Sequence, residues 1–90
     1  MRIVWDPEKA KTNYRKHGVR FSDAEGALFD PNALSREDRT ARGECRHVAM
    51  GMDHAGRVVV VVFTYRGSDI RIISARRAAR RERKRYAERV

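Results

Sequence analysis

Residues 2–5, RIVW, where β-branched Ile3 and Val4 and the aromatic Trp5 follow Arg2, read as a short first strand. The next stretch, DPEKAKTNYRKHG, carries the punctuation of a helix. Asp6 is suited to accept from free amides as an N-cap, Pro7 fits the first helical position, Glu8 complements the positive end of the dipole, and Gly18 supplies a stop. A second, shorter helix is predicted over residues 22–29, SDAEGALF, where Ser22 and Glu25 have capping-box spacing and Phe21 precedes them as a staple. Residues 30–43 are polar and rich in turn formers, so a loop is expected there. Three strands follow. In residues 44–54, Val48, Met50 and Met52 fall on one face. Residues 58–65, VVVVVFTY, form a continuous β-branched run suited to a central strand covered on both sides. Residues 70–75, IRIISA, make the last strand, and the turns HAGR and RGSD join the three as a meander.

From about Ala75 the period changes to that of a helix, with Ala75, Ala78, Ala79, Glu82, Tyr86 and Val90 along one side. Three alanines bury little area, so this helix either docks loosely or is completed by a partner. Glu82 is the odd member of the seam, because a carboxylate facing inward is costly unless paired. Arg71 and Arg76 on the preceding strand are the candidate partners. The whole reads β-α-α-β-β-β-α, an α+β fold in one domain spanning residues 1–90, with no repeat and no low-complexity linker.

Charge changes the picture more than composition does. The chain is 41% hydrophobic and 37% charged, enough for a modest core within a solvated shell, and its net charge is +9. Residues 75–90 hold eight basic side chains against two acidic ones, so most of the excess sits at the end of the sequence. Such clustering points to a polyanion or an acidic partner protein. A single cysteine, Cys45, excludes an intramolecular disulfide and points to a reducing compartment. No apolar run of signal-peptide length follows Arg2, and the longest one, residues 58–63, is far too short to span a bilayer, so a cytoplasmic protein without membrane contact is expected.

Candidate chemistry is restricted to His, Lys, Arg, Tyr and Glu. Lys16 and His17 end the first helix, where the dipole and free carbonyls already account for basic side chains. Cys45, His47 and His54 match no zinc-ligand spacing, and neither a metal nor a cofactor is expected. Arg66, Arg71 and Arg76 surround the last hairpin, beside the basic helix. A planar guanidinium grips phosphate with two bonds at once, and together these could hold a phosphodiester while Trp5, Tyr65 or Tyr86 stacks on a base. With no Gly-rich phosphate loop and no carboxylate pair, one reaction fits the set. RNA is cut when its own 2′-hydroxyl attacks the next phosphate, and the protein need only assist proton transfer and stabilise charge at phosphorus.

Two segments, WDPEKAKTNYRKHGVRFSDA (residues 5–24) and VVFTYRGSDIRIISARRAARRERKRY (residues 61–86), together resemble the BrnT family of bacterial toxins over nearly the whole chain. The resemblance implies a RelE-like fold, two helices packed on a mostly antiparallel sheet, and a ribonuclease that blocks translation. It also implies a BrnA-like antitoxin partner with a ribbon-helix-helix part, through which the complex would bind operator DNA. The positions that match the family pattern are Trp5, Lys16, His17, Arg66, Arg76, Glu82, Arg83 and Tyr86. Of these, His17, Lys16, Arg66 and Arg76 are the expected catalytic group, with Glu82, Arg83, Tyr86 and Trp5 supporting them. Arg77, Arg80, Arg81, Lys84 and Arg85 fall off the seam and are expected to face outward, for RNA capture or antitoxin docking. The alternative is a non-catalytic module that binds nucleic acid or a partner through the same charges.

Overall fold

A computed structural model describes residues 2–39, 43 and 45–89. The elements run β1 (Ile3–Val4), α1 (Pro7–His17), α2 (Phe21–Phe29), β2 (Leu34–Arg39), β3 (Cys45–Met52), β4 (Val58–Arg66), β5 (Asp69–Arg77) and α3 (Arg80–Arg89). The five strands form one sheet in the order β1-β5-β4-β3-β2, with β1 parallel to β5 and every other pair antiparallel. The α+β architecture and the late meander therefore stand as expected. Val90, the last member of the predicted seam, lies outside the described residues.

The first helix forms as its punctuation dictates. The Asp6 carboxylate accepts from the Glu8 amide, and Gly18 closes the helix at φ 69° with its N–H donating to the Tyr14 carbonyl. Asn13 is the buried residue of α1. It accepts from the Ala75 amide and donates to the carbonyls of Ala75 and Val19, so its side chain serves the edge of β5 past the short β1. One side of the sheet packs on α1 and α2 through Val19, Phe21, Ala24 and Ala27 against Ala49, Val59, Val61, Ile72 and Ala75. Each fully buried Phe, Ile or Val there contributes about 1.5–3 kcal/mol.

Three expectations change. Residues 34–39 are not loop but an edge strand, paired with β3 from Leu34↔Met50 to Arg39↔Cys45. Its LSREDR sequence is polar on both faces, as suits an exposed edge that must not recruit another chain. The second helix begins at Phe21, because the Ala24 amide already bonds the Arg20 carbonyl. Ser22 is thus inside the helix, no side chain caps it, and Phe21 belongs to the helix and the core rather than to a staple. Finally, β5 continues to Arg77 because it still pairs with β4 at Val59, and α3 starts only at Arg80. Ala75 accordingly packs on the α1–α2 side and Ala79 is exposed, leaving Tyr86 of the last helix, with Ala78 just before it, buried on Met50 and Val60.

The last helix is tied down at a point the sequence did not reveal. Asp30, just after α2, accepts from the Met52 amide (2.8 Å), the Asn32 amide (2.9 Å) and the Tyr86 hydroxyl (2.5 Å). One carboxylate thereby joins the helices on opposite sides of the sheet. Burial alone would raise its pKa, but those three donors outweigh it and hold it below the ordinary range. The same bond, with burial and the Asp30 charge, raises the Tyr86 pKa. Asp30→Ala should destabilise the fold by about 2–3 kcal/mol, because a charge-assisted bond is lost and amides are left unpaired. Tyr86→Phe should cost about 1 kcal/mol, and denaturant titration of both variants measures the two losses.

Candidate active site

Strand alternation and register bring Arg36 (β2), Arg46 (β3), Arg66 (β4), Arg71 and Arg76 (β5) to the side of the sheet opposite α1 and α2. The last helix covers one end of that side. Between α3 and β2 it leaves a groove of about 280 Å³, floored by Leu34, Val48, Met50 and Val60 and rimmed by Arg36, Arg76, Glu82 and Arg85. Guanidinium groups from β2, β5 and α3 thus converge over an apolar floor.

Glu82 is the partner of Arg76, not of Arg71. Its two oxygens accept from Nη1 (2.8 Å) and Nη2 (2.9 Å), and Oε1 also accepts from the Ala79 amide at 2.7 Å. That last bond is half of a capping box, the third helical residue reaching back to the N-cap amide. The first Arg76 nitrogen also donates to the Arg77 carbonyl. What remains open, among the described residues, is the Nε–H and one Nη2–H edge, a geometry that still fits two oxygens of a phosphate. Hydrogen bonds from Arg76 and Ala79 hold the Glu82 pKa down at about 2, against an ordinary 4.5.

A lowered carboxylate pKa stabilises the fold fully above 4.5, and that contribution is lost as pH falls from 4.5 through about 2. The wild-type melting temperature should drop across that interval, whereas Glu82→Gln should start lower at neutral pH and change less. Glu82→Ala should cost about 1–2 kcal/mol and reduce RNA cleavage together with stability. Unchanged melting with lost cleavage would instead give Glu82 a direct chemical part.

Lys16 and His17 lie in the basic last turn of α1, where a cavity of about 310 Å³ is shared with Thr12, Asn13, Ile73 and Ser74. Ser74 and Arg76 are two residues apart on the same strand, roughly 7 Å. The α1 terminus and the arginine groove therefore flank the same stretch of the β5 edge. They line separate cavities.

Other candidates are dispersed. Arg66 pairs with Asp69 at the tip of the β4–β5 hairpin, whereas Arg76 pairs with Val60. Six residue steps along β4 separate the two rows, roughly 20 Å, so Arg66 and Arg76 do not grip one phosphate. Tyr86 is buried and hydrogen-bonded, which removes it as a stacking surface. Trp5 packs edge-on against Phe21, in a groove shared with Tyr14 and Arg20 on the helical side of the sheet. Arg83 donates to the Ala78 carbonyl and so braces the start of α3. Arg85 turns toward the groove instead of outward, while Arg77, Arg80, Arg81 and Lys84 are exposed. Cys45 and His47 are neighbours on β3, but His54 lies beyond the other end of that strand. Arg36 was missed by sequence reasoning. Its strand LSREDR is polar on both faces beyond Leu34, so no local alternation marks it.

The sequence matches the family described as ribonuclease toxin, BrnT, of type II toxin–antitoxin system, over residues 5–82. A similar solved structure is the crystal structure of the Brucella abortus ribonuclease toxin, BrnT. It is 32% identical with a TM-score of 0.70, and the match covers 89% of this chain and 99% of that one. No curated protein matches the sequence.

Proposed function

Because this chain belongs to the BrnT family of ribonuclease toxins of type II toxin–antitoxin systems, we propose that it cleaves RNA without a metal, around the β5 edge at Arg76. The observation that carries this reading is the Arg76–Glu82 pair. It holds a guanidinium beside an apolar floor with, among the described residues, one two-pronged edge still open, and Arg36 and Arg85 share the groove. The RNA 2′-oxygen attacks the adjacent phosphorus, the 2′-O–P bond forms and the P–O5′ bond breaks. A basic side chain takes the 2′-proton, and the leaving 5′-oxygen is protonated. His17 or Lys16, on the other side of the β5 edge, serves that proton transfer. Arg76 stabilises the charge that grows on the non-bridging oxygens. A positively charged sheet face and helix bring the polyanion in.

The partner is an antitoxin of the BrnA kind. It presents acidic residues to α3 and binds operator DNA through its own ribbon-helix-helix part, the toxin reaching DNA only within that complex. The site of action is the cytoplasm, and among the described residues no helix is long and apolar enough to cross a membrane. Purified, folded protein should cleave RNA in EDTA and leave 2′,3′-cyclic phosphate and 5′-hydroxyl ends. Intact RNA in EDTA with cleavage restored by a divalent cation would overturn the metal-free mechanism. RNA that is bound but never cut would favour the non-catalytic module.

A further inference from the structure

The side of the sheet that bears α1 and α2 carries an aromatic cluster which the Arg76 site leaves unused. His47 stands opposite Phe63 in the β3–β4 register, and their rings stack at 5.4 Å with an interplanar angle of 21°. Tyr65, two residues along β4 on the same side, meets His47 edge-to-face at 4.9 Å and Phe63 at 5.9 Å. The gradient of burial is steep: Phe63 is 7% exposed, Tyr65 53%. Cross-strand stacking accounts for His47 and Phe63, as such pairs stabilise sheets. It does not account for a tyrosine left half open at the end of a strand.

The rim of this cluster is cationic. Arg39 stands opposite Cys45 on the same side, and Arg66 follows Tyr65 directly at the hairpin tip. Two nearby carboxylates temper the charge. Glu37 is opposite His47, and Asp69 is held by Arg2 at 3.0 Å. One exposed tyrosine ring, backed by a half-buried histidine and with guanidinium groups beside it, matches the chemistry of an unpaired RNA strand, whose bases stack on aromatic faces while its phosphates meet arginine. The cluster is also continuous with the arginine side. Alternation turns Arg66 toward Arg71 and Arg76, and Tyr65 toward His47, so the tip of the hairpin is where the two sides meet. A strand laid over Arg76, Arg71 and Arg66 reaches Tyr65 on rounding that tip.

We propose that Tyr65, supported by His47, is a stacking subsite for unpaired bases of the RNA substrate, about 17 Å along the sheet from the Arg76 row, with Arg66 and Arg39 as its phosphate contacts. The inference rests on the chain acting on RNA. It assigns to Arg66 a task that its distance from Arg76 otherwise denies it, and it makes affinity depend on RNA length.

The test uses the full chain and non-cleavable 2′-O-methyl oligoribonucleotides of about four and about twelve nucleotides, lengths that bracket single-strand site sizes. Wild-type protein should bind the longer one more tightly. Tyr65→Leu and Tyr65→Thr, each checked for unchanged melting, should lose roughly 5- to 150-fold in affinity for the long oligonucleotide, the range for one stacked base. Their affinity for the short one, centred on Arg76, should hardly move, and Tyr65→Phe should restore the long-strand affinity. Two ring-less variants keep the test decisive should one fold poorly. If wild type prefers the long strand and both variants do so equally, the subsite is overturned while the RNA-cleaving reading stands. If wild type binds neither oligonucleotide, both fall together.

Discussion

Arg76→Lys should lower RNA cleavage by roughly 10²–10³-fold, the scale for losing one charge-stabilising donor in a preorganised site. Lysine keeps the charge but offers a single point, and it cannot satisfy both Glu82 oxygens and a phosphate at once. The wild-type guanidinium has donors enough for both, because Glu82 takes the Nη1 and Nη2 ends and, among the described residues, the Nε side carries no other bond. Melting should fall by only a few degrees, since Glu82 keeps its bond to the Ala79 amide. Arg66→Lys is the informative control. The hairpin separates Arg66 from the Arg76 row by roughly 20 Å, so cleavage of a minimal RNA should stay close to wild type. Wild-type cleavage by the Arg76 variant would refute the assignment, and equal losses in both variants would place Arg66 in the chemistry despite the register.

Much of this site could be read from local sequence, and what could not be read has a common cause. Helix α1 announced itself because its cap, proline, acidic start and glycine stop are all local signals. The Glu82 pairing was legible because a carboxylate on an inward face needs a partner, and two arginines stood within reach on the preceding strand. Choosing Arg76 over Arg71 needed the end of β5, and that end is set by Val59 on another strand. The edge strand β2 was invisible for the same reason. Its residues carry no apolar alternation beyond Leu34, and its strand state is imposed by the free edge of β3. With β2 went Arg36, and with it one wall of the groove. Asp30 and Asn13 look like ordinary turn and helix residues, yet each spends its side chain on a strand amide far along the chain. Residues whose roles depend on who lies across the sheet are those that sequence alone conceals.

Replacing Arg80, Arg81 and Lys84 together by Gln should weaken RNA binding regardless of sequence and leave the chemical step intact. All three are exposed on α3, and none lines the groove or takes part in the bonds that dock the helix. Arg83 and Arg85 are left in place because one braces Ala78 and the other faces Arg76's groove. Each phosphate contact to a single strand contributes roughly 0.7 to the slope of log affinity against log salt, so the triple variant should flatten that slope by about 2. At saturating RNA the cleavage rate should persist, because these three side chains lie off the groove proposed for the chemistry. Affinity for an acidic antitoxin segment should fall in parallel, with a similar loss of salt sensitivity. A triple variant that binds RNA with the wild-type salt slope but no longer turns it over would move the outer face of α3 into the active site, and the groove alone would no longer account for catalysis.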